Sequence, residues 1–434
     1  MKIFKTPELW NSALKLIPGG NGLLSKRPNR YLPDYWPTYF KKAKGIKINT
    51  LNNKYYLDMS NMGVGASILG YSNDYVNKKV KLAIDNGIAS TLNCKEEYDL
   101  AKEFLKNDKF ADNVKFARSG GEAMSIAIRI ARANSKNDKI AFSGYHGWHD
   151  WYLATNLRGN EKLKEHLLPG LNPLGVPKAL KNTVIPFRYN NVKDFKKIIS
   201  RNKIAGVVVE GSRFEYPHKD FIKEINNFCK KNKVCLIIDE ITSGWRETIG
   251  GVYKSVGFKP DIVVYGKGIG NGHAISAIVG KSKYMSVCED TFMSSTAWTE
   301  RVGFVAALAT INYFKKNKVH KHIKKIGKYL TSNWVKLAQK NKLEISINEF
   351  VPLSKFEFKY KNNNYLNTLF TQEMLREGYL ATNSVYISYS HKKKDIDKYL
   401  KSCDKVFKLI SNAIKNKKNY LYGDIKSMGF KRLT

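Results

Sequence analysis

Asp261-Ile-Val-Val-Tyr-Gly-Lys267-Gly-Ile-Gly-Asn-Gly272 is the stretch on which the reading of this chain turns. Its β-branched run is short, apolar and cut off by glycine, which predicts a buried strand ending at Tyr265. Lys267 then stands just beyond the C-terminal edge of that strand, where open α/β sheets bind their ligands. A lysine among glycines is either a solvated loop residue or a chemical one, and its neighbours must decide.

The same pattern recurs on both sides of this stretch. Val114 to Ala117, Lys139 to Phe142, Val184 to Phe187, Ile204 to Glu210, Val234 to Asp239 and Ala274 to Val279 read as further strands, with helical periodicity between most of them. Alternation of this kind predicts an α/β fold with a mostly parallel sheet covered on both faces. Before it, Ile46 to Thr50 and Tyr55 to Met59 read as a β-hairpin, preceded by a helix opening on Thr6 and Pro7. After it, one long helical signal runs from Thr299 to about 340. Strands near 343–347, 355–360 and 385–389 and helices over 365–377 and 393–415 follow, ahead of a basic tail expected to fray. The expected organisation is an N-terminal segment 1–70, a large ligand-binding domain 71–310 and a C-terminal segment 311–434. Both termini contribute to one smaller α+β domain.

Composition narrows the function. The 434 residues have an ordinary apolar fraction of 43% and no membrane-length apolar run. Five scattered cysteines without a C-x-x-C pair suit reduced thiols, so the cytoplasm is the expected compartment. The net charge of +38 raises nucleic acid and membrane surfaces as partners. Along the sequence, however, the lysines are dispersed, without aromatic interleaving or a nucleic-acid module. Neither partner is expected; a lysine-favouring codon bias accounts for most of the excess.

Four groups converge on Lys267. Asp239 closes the strand Val234-Cys-Leu-Ile-Ile-Asp239-Glu240, on the same sheet edge, where a carboxylate needs a cationic partner or else serves as a cap. Arg118-Ser119-Gly120-Gly121-Glu122 lies between a strand and a helix rich in alanine and isoleucine. Its open backbone N–H groups, the helix dipole and the Ser119 hydroxyl make a phosphate cradle, although it is neither a P-loop nor a G-x-G-x-x-G turn. Gly144-Tyr145-His146-Gly147-Trp148-His149-Asp150 offers Tyr145 as a plate for a planar ring. His146 and His149 lack a third defined ligand for a metal, so no metal is expected. An amine, an acid, a phosphate seat and an aromatic plate at the ends of different strands suit pyridoxal 5′-phosphate (PLP). The lysine binds its aldehyde, the acid faces its ring nitrogen and the cradle holds its phosphate.

The order Ser-Gly-Gly-Glu-Ala, Tyr-His-Gly, Glu210, Asp239-Glu240, Lys267 and Thr296 closely resembles class III, fold-type I PLP-dependent aminotransferases, and within them proteins like glutamate-1-semialdehyde 2,1-aminomutase. The resemblance runs from Leu16-Ile-Pro-Gly-Gly20 through the last helix. It implies Lys267 as Schiff-base lysine and proton shuttle and Asp239 on the pyridine nitrogen. It also places Ser119, Gly120 and Gly121 on the phosphate, Tyr145 on the ring, with His146 beside it, and Glu210 near the ring or substrate. Thr296, in Ser294-Ser-Thr-Ala-Trp-Thr-Glu, is implied to reach the phosphate of a neighbouring subunit, which requires a homodimer.

The departures lie in the substrate pocket. Asn21-Gly-Leu-Leu-Ser25-Lys-Arg27 replaces the Asn-Ser-Pro-Val-Arg stretch of the aminomutases. Their Gly/Ser-rich lid gives way to residues 156–177, and Glu210 is followed by Gly-Ser-Arg213 in place of a proline-containing stretch. Arg27, Arg213, Arg246 and Arg158 are candidate anchors for an anionic substrate, against structural ion pairing. An aminotransferase passing an amino group from an amino-acid donor to a keto or aldehyde acceptor is the leading expectation. The variant signatures Tyr145 to Trp151, Asp239 to Arg246 and Ser294 to Arg301 resemble a branch serving amino-sugar and surface-polysaccharide precursors. An intramolecular aminomutase and a non-catalytic basic protein that binds nucleic acid or a membrane are the alternatives.

Overall fold

The computed structural model describes residues 8–159, 166 and 170–428. Thr6, Pro7 and the middle of the segment replacing the lid therefore lie outside the described residues. The chain divides into two compact units, Met1–Asn73 with Lys321–Thr434, and Asp74–His320.

The first unit opens with α1 (Glu8–Leu16), whose Trp10 and Ala13 are buried. It continues with β1 (Phe40–Lys44), β2 (Lys47–Thr50) and β3 (Tyr55–Met59), an antiparallel meander.

The second unit holds α2 (Asp74–Asp85), α3 (Lys95–Asn107), β4 (Asn113–Ala117), α4 (Gly120–Ser135), β5 (Ile140–Ser143), α5 (Asp150–Leu153), β6 (Val184–Pro186), α6 (Val192–Ile199), β7 (Gly206–Glu210), α7 (Lys219–Asn232), β8 (Cys235–Asp239), α8 (Tyr253–Val256), β9 (Ile262–Tyr265), β10 (Ser276–Gly280), α9 (Ser282–Met285) and α10 (Arg301–Lys316). Its seven strands are ordered β4-β10-β9-β8-β7-β5-β6. Only β10 runs against its neighbours, pairing antiparallel with both β4 and β9. Strands β5, β7, β8, β9 and β10 are buried at every position, the signature of a sheet covered on both faces. Helix α4 lies close on that sheet through Ala123, Ala127 and Ala131. A Cβ added at Gly206 of β7 would come within 3.1 Å of Ala131, so glycine there admits the close approach. Because the parallel strands end on one edge, register alone aligns Glu210 with Asp239 and Asp239 with Val264, three residues before Lys267.

The chain then returns to the first unit through α11 (Val319–Lys340), β11 (Ile345–Ile347), β12 (Leu353–Phe358), α12 (Asn363–Arg376), β13 (Tyr379–Ala381), β14 (Ser384–Tyr386) and α13 (Lys393–Asn416). Strand β13 pairs parallel with β3 and completes the N-terminal sheet, and β11-β12-β14 form a second one. The long helical signal after Thr299 is in fact two helices. They are separated at Lys318, whose left-handed backbone (φ 48°) cannot continue a right-handed helix. The basic tail, expected to fray, instead packs back on α12 over its described residues, which run to 428. Tyr422 N donates to Gln372 Oε1 (2.8 Å), Gln372 Nε2 to the Tyr420 carbonyl (2.9 Å) and Lys426 N to Thr368 Oγ1 (3.1 Å). These partners lie on the buried face of a polar-lined helix, which periodicity along the tail itself does not disclose.

Candidate active site

Lys267 follows β9 with a left-handed backbone (φ 46°), an unfavourable conformation for a residue with a Cβ that aims its side chain back across the sheet edge. Its Nζ donates to Thr242 Oγ1 at 2.7 Å. Burial, reinforced by the Arg213 and Arg246 guanidiniums, lowers the amine to about 7 against the opposing pull of Asp239 and Glu210. A lysine in this state offers a neutral amine near neutral pH.

Asp239 ends β8, 4% exposed. Its Oδ1 accepts from Ile241 N at 2.9 Å, and its Oδ2 lies 2.8 Å from His146 Nδ1. His146 Nε2 points at the Ser143 carbonyl at 3.2 Å, an oxygen that can only accept, so the ring is held at both of its nitrogens. His146 is thus a buried brace for Asp239.

Tyr145 and Glu210 come from neighbouring strand ends. Glu210 Oε2 accepts from Tyr145 N at 3.2 Å, and Glu210 Oε1 pairs with Arg213 at 3.0 Å. The Arg213 guanidinium lies 5.5 Å from the centre of the Tyr145 ring and 3.5 Å from Thr242 Oγ1. Gly144, at φ 117°, lets the carboxylate in: a Cβ there would fall 2.5 Å from Glu210 Oε2.

At the start of α4, Ser119 and Glu122 form a reciprocal capping box. Ser119 Oγ accepts from Glu122 N, and Glu122 Oε2 accepts from the backbone N–H of Ser119 (2.7 Å) and Arg118 (3.2 Å). The Ser119 hydroxyl also donates to Glu122 at 3.0 Å, so the cap engages it. Among the described residues no acceptor meets the Gly120 and Gly121 N–H groups, which leaves two donors open at a positive helix end. A Cβ at Gly121 would come within 2.9 Å of His149, and one at Gly120 within 2.9 Å of Ile241.

The 296–299 turn bears on the same cradle. The Trp298 indole donates to Glu122 Oε1 at 3.2 Å, while Arg118 reaches the Ala297, Glu300 and Ala274 carbonyls. Thr296 itself is exposed.

The structure therefore brings together Lys267, Asp239, His146, Glu210, Tyr145 and Arg213, and sets Ser119, Gly120 and Gly121 on the same edge. Arg246 is close enough for its charge to be felt at Lys267, but it is 1% exposed and donates to the Thr242 carbonyl of its own turn. Arg158 is exposed. Arg27 belongs to the first unit, where its guanidinium packs on Gly19. Thr242, Glu122, Trp298 and Arg118 were not singled out by the sequence, although Thr242 lies only three residues beyond Asp239. Among the described residues no cluster of His, Cys, Asp and Glu could hold a metal ion, and no helix is long and apolar enough to cross a membrane.

A half-buried amine of lowered basicity, a braced carboxylate on the adjacent strand and a pair of open amides at a helix N-terminus fit PLP in their donor chemistry. Together with the sheet they define the class: a fold-type I PLP-dependent transferase. The chain belongs to the class III aminotransferase family, whose profile matches residues 33–406, and PLP is the cofactor of that family. It is 31% identical to a glutamate-1-semialdehyde 2,1-aminomutase of Wigglesworthia glossinidia brevipalpis over 94% of this chain and 99% of that one. It is 27% identical to a 3-aminobutyryl-CoA aminotransferase of Cloacimonas acidaminovorans over 91% and 95%. Among solved structures, the PLP form of the FumI protein of Sphingopyxis sp. MTA144 superposes with a TM-score of 0.85 at 21% identity, covering 94% of this chain and 97% of that one. An omega-transaminase from Sphaerobacter thermophilus gives 0.82 at 19% identity, covering 93% and 97%.

Proposed function

We propose that this protein is an aminotransferase that moves an amino group from an amino-acid donor to a keto or aldehyde acceptor. It acts as a cytoplasmic homodimer in the making of amino-sugar or surface-polysaccharide precursors. The observation that carries the transfer reaction is the Lys267 amine, depressed to about 7 beside the Asp239–His146 pair. The precursor assignment rests on the resemblance of the stretches at 145–151, 239–246 and 294–301.

In this reading Lys267 holds the cofactor, and Asp239, steadied by His146 and Ile241 N, faces the ring nitrogen. The Gly120 and Gly121 amides with Ser119 seat the phosphate, Tyr145 covers the ring and Glu210 borders it. PLP, when bound, supplies the electron-withdrawing ring that stabilises charge left on the donor's Cα as its proton departs. Lys267 Nζ, released when the donor's amine takes its place on the cofactor, would take that proton, and its low basicity would make the proton easy to return. Arg213 receives an anionic group of the substrate, with Arg246 adding charge from behind. The exposed Thr296 reaches the phosphate of a second copy. Exposed Phe292, four residues before it, and exposed Tyr98, which lines a hollow with Ser295 and Trp298, support a covered surface there. A hollow of about 550 Å³ beside β4, lined by Cys94, Tyr98, Met293 and Trp298, supports it as well.

The test is the half-reaction. Protein loaded with PLP is mixed with glutamate, alanine and other amino donors, and the pyridoxamine form is followed by absorbance. Conversion that is absent in Lys267→Ala supports the proposal; no conversion with any donor sinks it. The aminomutase relatives at 30–31% identity favour a second reading, an amine moved within one molecule. Turnover of a single amino-aldehyde compound without a separate donor would select it.

A further inference from the structure

The net charge is not spread evenly over the fold. Residues 1–73 and 321–434 hold 35 Lys and Arg against 12 Asp and Glu, a net +23 on 187 residues; residues 74–320 hold 40 against 25, a net +15 on 247. A codon bias acting on the whole chain would load both units alike. The first unit carries twice the excess per residue.

Within it, the excess gathers on α11 and α13. Trp334 of α11 and Phe407 of α13 both pack on Phe356 of β12, at 5.0 and 5.7 Å between ring centres. The helices lie side by side, tied by Tyr329 Oη to Asp397 (2.6 Å) and Asn341 Nδ2 to Asp404 (2.8 Å). Their outer faces are lysine. On α13, Lys394, Lys398, Lys401, Lys405 and Lys408 recur at spacings of four and three, Lys415 follows seven further on, and all are exposed, which makes one stripe about 30 Å long at 1.5 Å per residue. Helix α11 contains no acidic residue, and its Lys321, Lys325, Lys328 and Lys336 are exposed. The acids of α13 are used elsewhere: Asp397 and Asp404 face α11, and Asp395 caps the helix start. Of the six stripe lysines, only Lys405 meets a carboxylate among the described residues, Glu377 at 3.1 Å.

We propose that this two-helix face docks the protein on an anionic phospholipid surface. Neither helix contains arginine, the residue that reads phosphate and base edges bidentately, and their aromatic rings point inward or are half-covered. Two adjacent helices make a broad face suited to a plane of dispersed headgroups. Each lysine near such a surface contributes about 1 kcal/mol, roughly a fivefold gain in partitioning. With no exposed apolar side chain on the stripe to insert, attachment is electrostatic and reversed by salt.

The experiment is vesicle co-sedimentation of the PLP-loaded protein, on phosphatidylcholine alone and with about a third phosphatidylglycerol, at about 50 and 500 mM salt. The combined variant Lys394→Gln, Lys398→Gln, Lys401→Gln, Lys408→Gln is compared with a control of equal charge in the second unit, Lys193→Gln, Lys197→Gln, Lys223→Gln, Lys230→Gln. Binding to the anionic vesicles at low salt is expected, with release at high salt. It should weaken at least tenfold in the stripe variant and under twofold in the control, with thermal midpoint and activity unchanged in both. No binding to anionic vesicles overturns the proposal, as does equal loss in the control. Tighter, stripe-dependent binding to a double-stranded DNA fragment overturns it too and makes nucleic acid the partner.

Discussion

Lys267 Nζ donates to Thr242 Oγ1 at 2.7 Å, and the same hydroxyl lies 3.5 Å from the Arg213 guanidinium, so one threonine touches both the amine and the guanidinium. Thr242 is 5% exposed and supplied by the turn after β8. Thr242→Val keeps the shape and removes the hydroxyl. A hydrogen bond to a charged group contributes about 1.5–3 kcal/mol, so the half-reaction rate should fall roughly 10- to 100-fold while PLP content holds. An unchanged rate would show that the hydroxyl does not position the amine.

The depressed Lys267 predicts how the apoprotein takes up its cofactor. Only the neutral amine attacks an aldehyde, so the loading rate should rise with pH through about 7, well below the range of an ordinary lysine. After burial, Arg213 is the largest cause of the depression. Arg213→Gln removes a cation and leaves Glu210 to hold the protonated amine, so the inflection should move to higher pH. Stopped-flow absorbance of PLP uptake against pH measures both, and an inflection that stays in place in the variant contradicts the assigned electrostatics.

Asp239 and His146 should separate by magnitude. Asp239→Asn keeps the hydrogen bond from Ile241 N but removes the charge, and losing one preorganised electrostatic partner costs on the order of a hundredfold or more in rate. His146→Gln leaves the carboxylate in place and removes only its brace, so a smaller loss is expected, on the order of tenfold. Equal losses would mean that His146 does more than hold Asp239.

Much of this site was legible in the sequence because its chemistry sits where strands stop. An apolar run ending in Asp239, Glu210 or Gly266-Lys267 marks the sheet edge directly, and the parallel register places those ends side by side. What stayed hidden depends on long-range contact. Trp298 and Glu122 are 176 residues apart, and Arg118 reaches carbonyls at 274, 297 and 300, pairings that no local pattern carries. The cap that Ser119 also provides was hidden for a local reason, since Ser-x-x-Glu reads equally as a cradle and as a capping box. The lysine stripe was hidden for a related reason: helical spacing aligns residues that lie scattered along the sequence.

The bridge from the 296–300 segment to the α4 cap predicts a variant outside the reacting groups. Glu122→Gln weakens an acceptor shared by four donors, and Arg118→Gln releases the Ala297 and Glu300 carbonyls. Loss of a cap costs about 1 kcal/mol in helix stability. The PLP dissociation constant, measured by equilibrium dialysis, should rise about three- to tenfold in each, and inorganic phosphate should compete less well for the site. A fall in thermal midpoint with unaltered affinity for both anions would assign these residues to folding alone.

Glu240 gives a prediction about stability. It is 1% exposed, enclosed by Gly211 and Gly251, where an added Cβ would lie 2.4 and 2.8 Å from Oε1, and it accepts from Ser243 Oγ (2.6 Å) and Tyr253 N (2.8 Å). Burial raises it to about 7, more than those hydrogen bonds and the one from Val252 N lower it, and Asp239 adds to the rise. The folded carboxyl therefore keeps its proton up to about 7, whereas the unfolded chain releases it near 4.5. Between those values the folded state binds more protons, so stability falls as pH rises through the window and stays at the lower level above it, by roughly 3 kcal/mol at most. Glu240→Gln cannot titrate. Urea unfolding of wild type and variant at pH about 5 and about 8 should show the variant gaining on the wild type by up to that amount at the higher pH. A difference that does not change with pH would mean that Glu240 is held as the anion in the fold, with its two donors outweighing its burial.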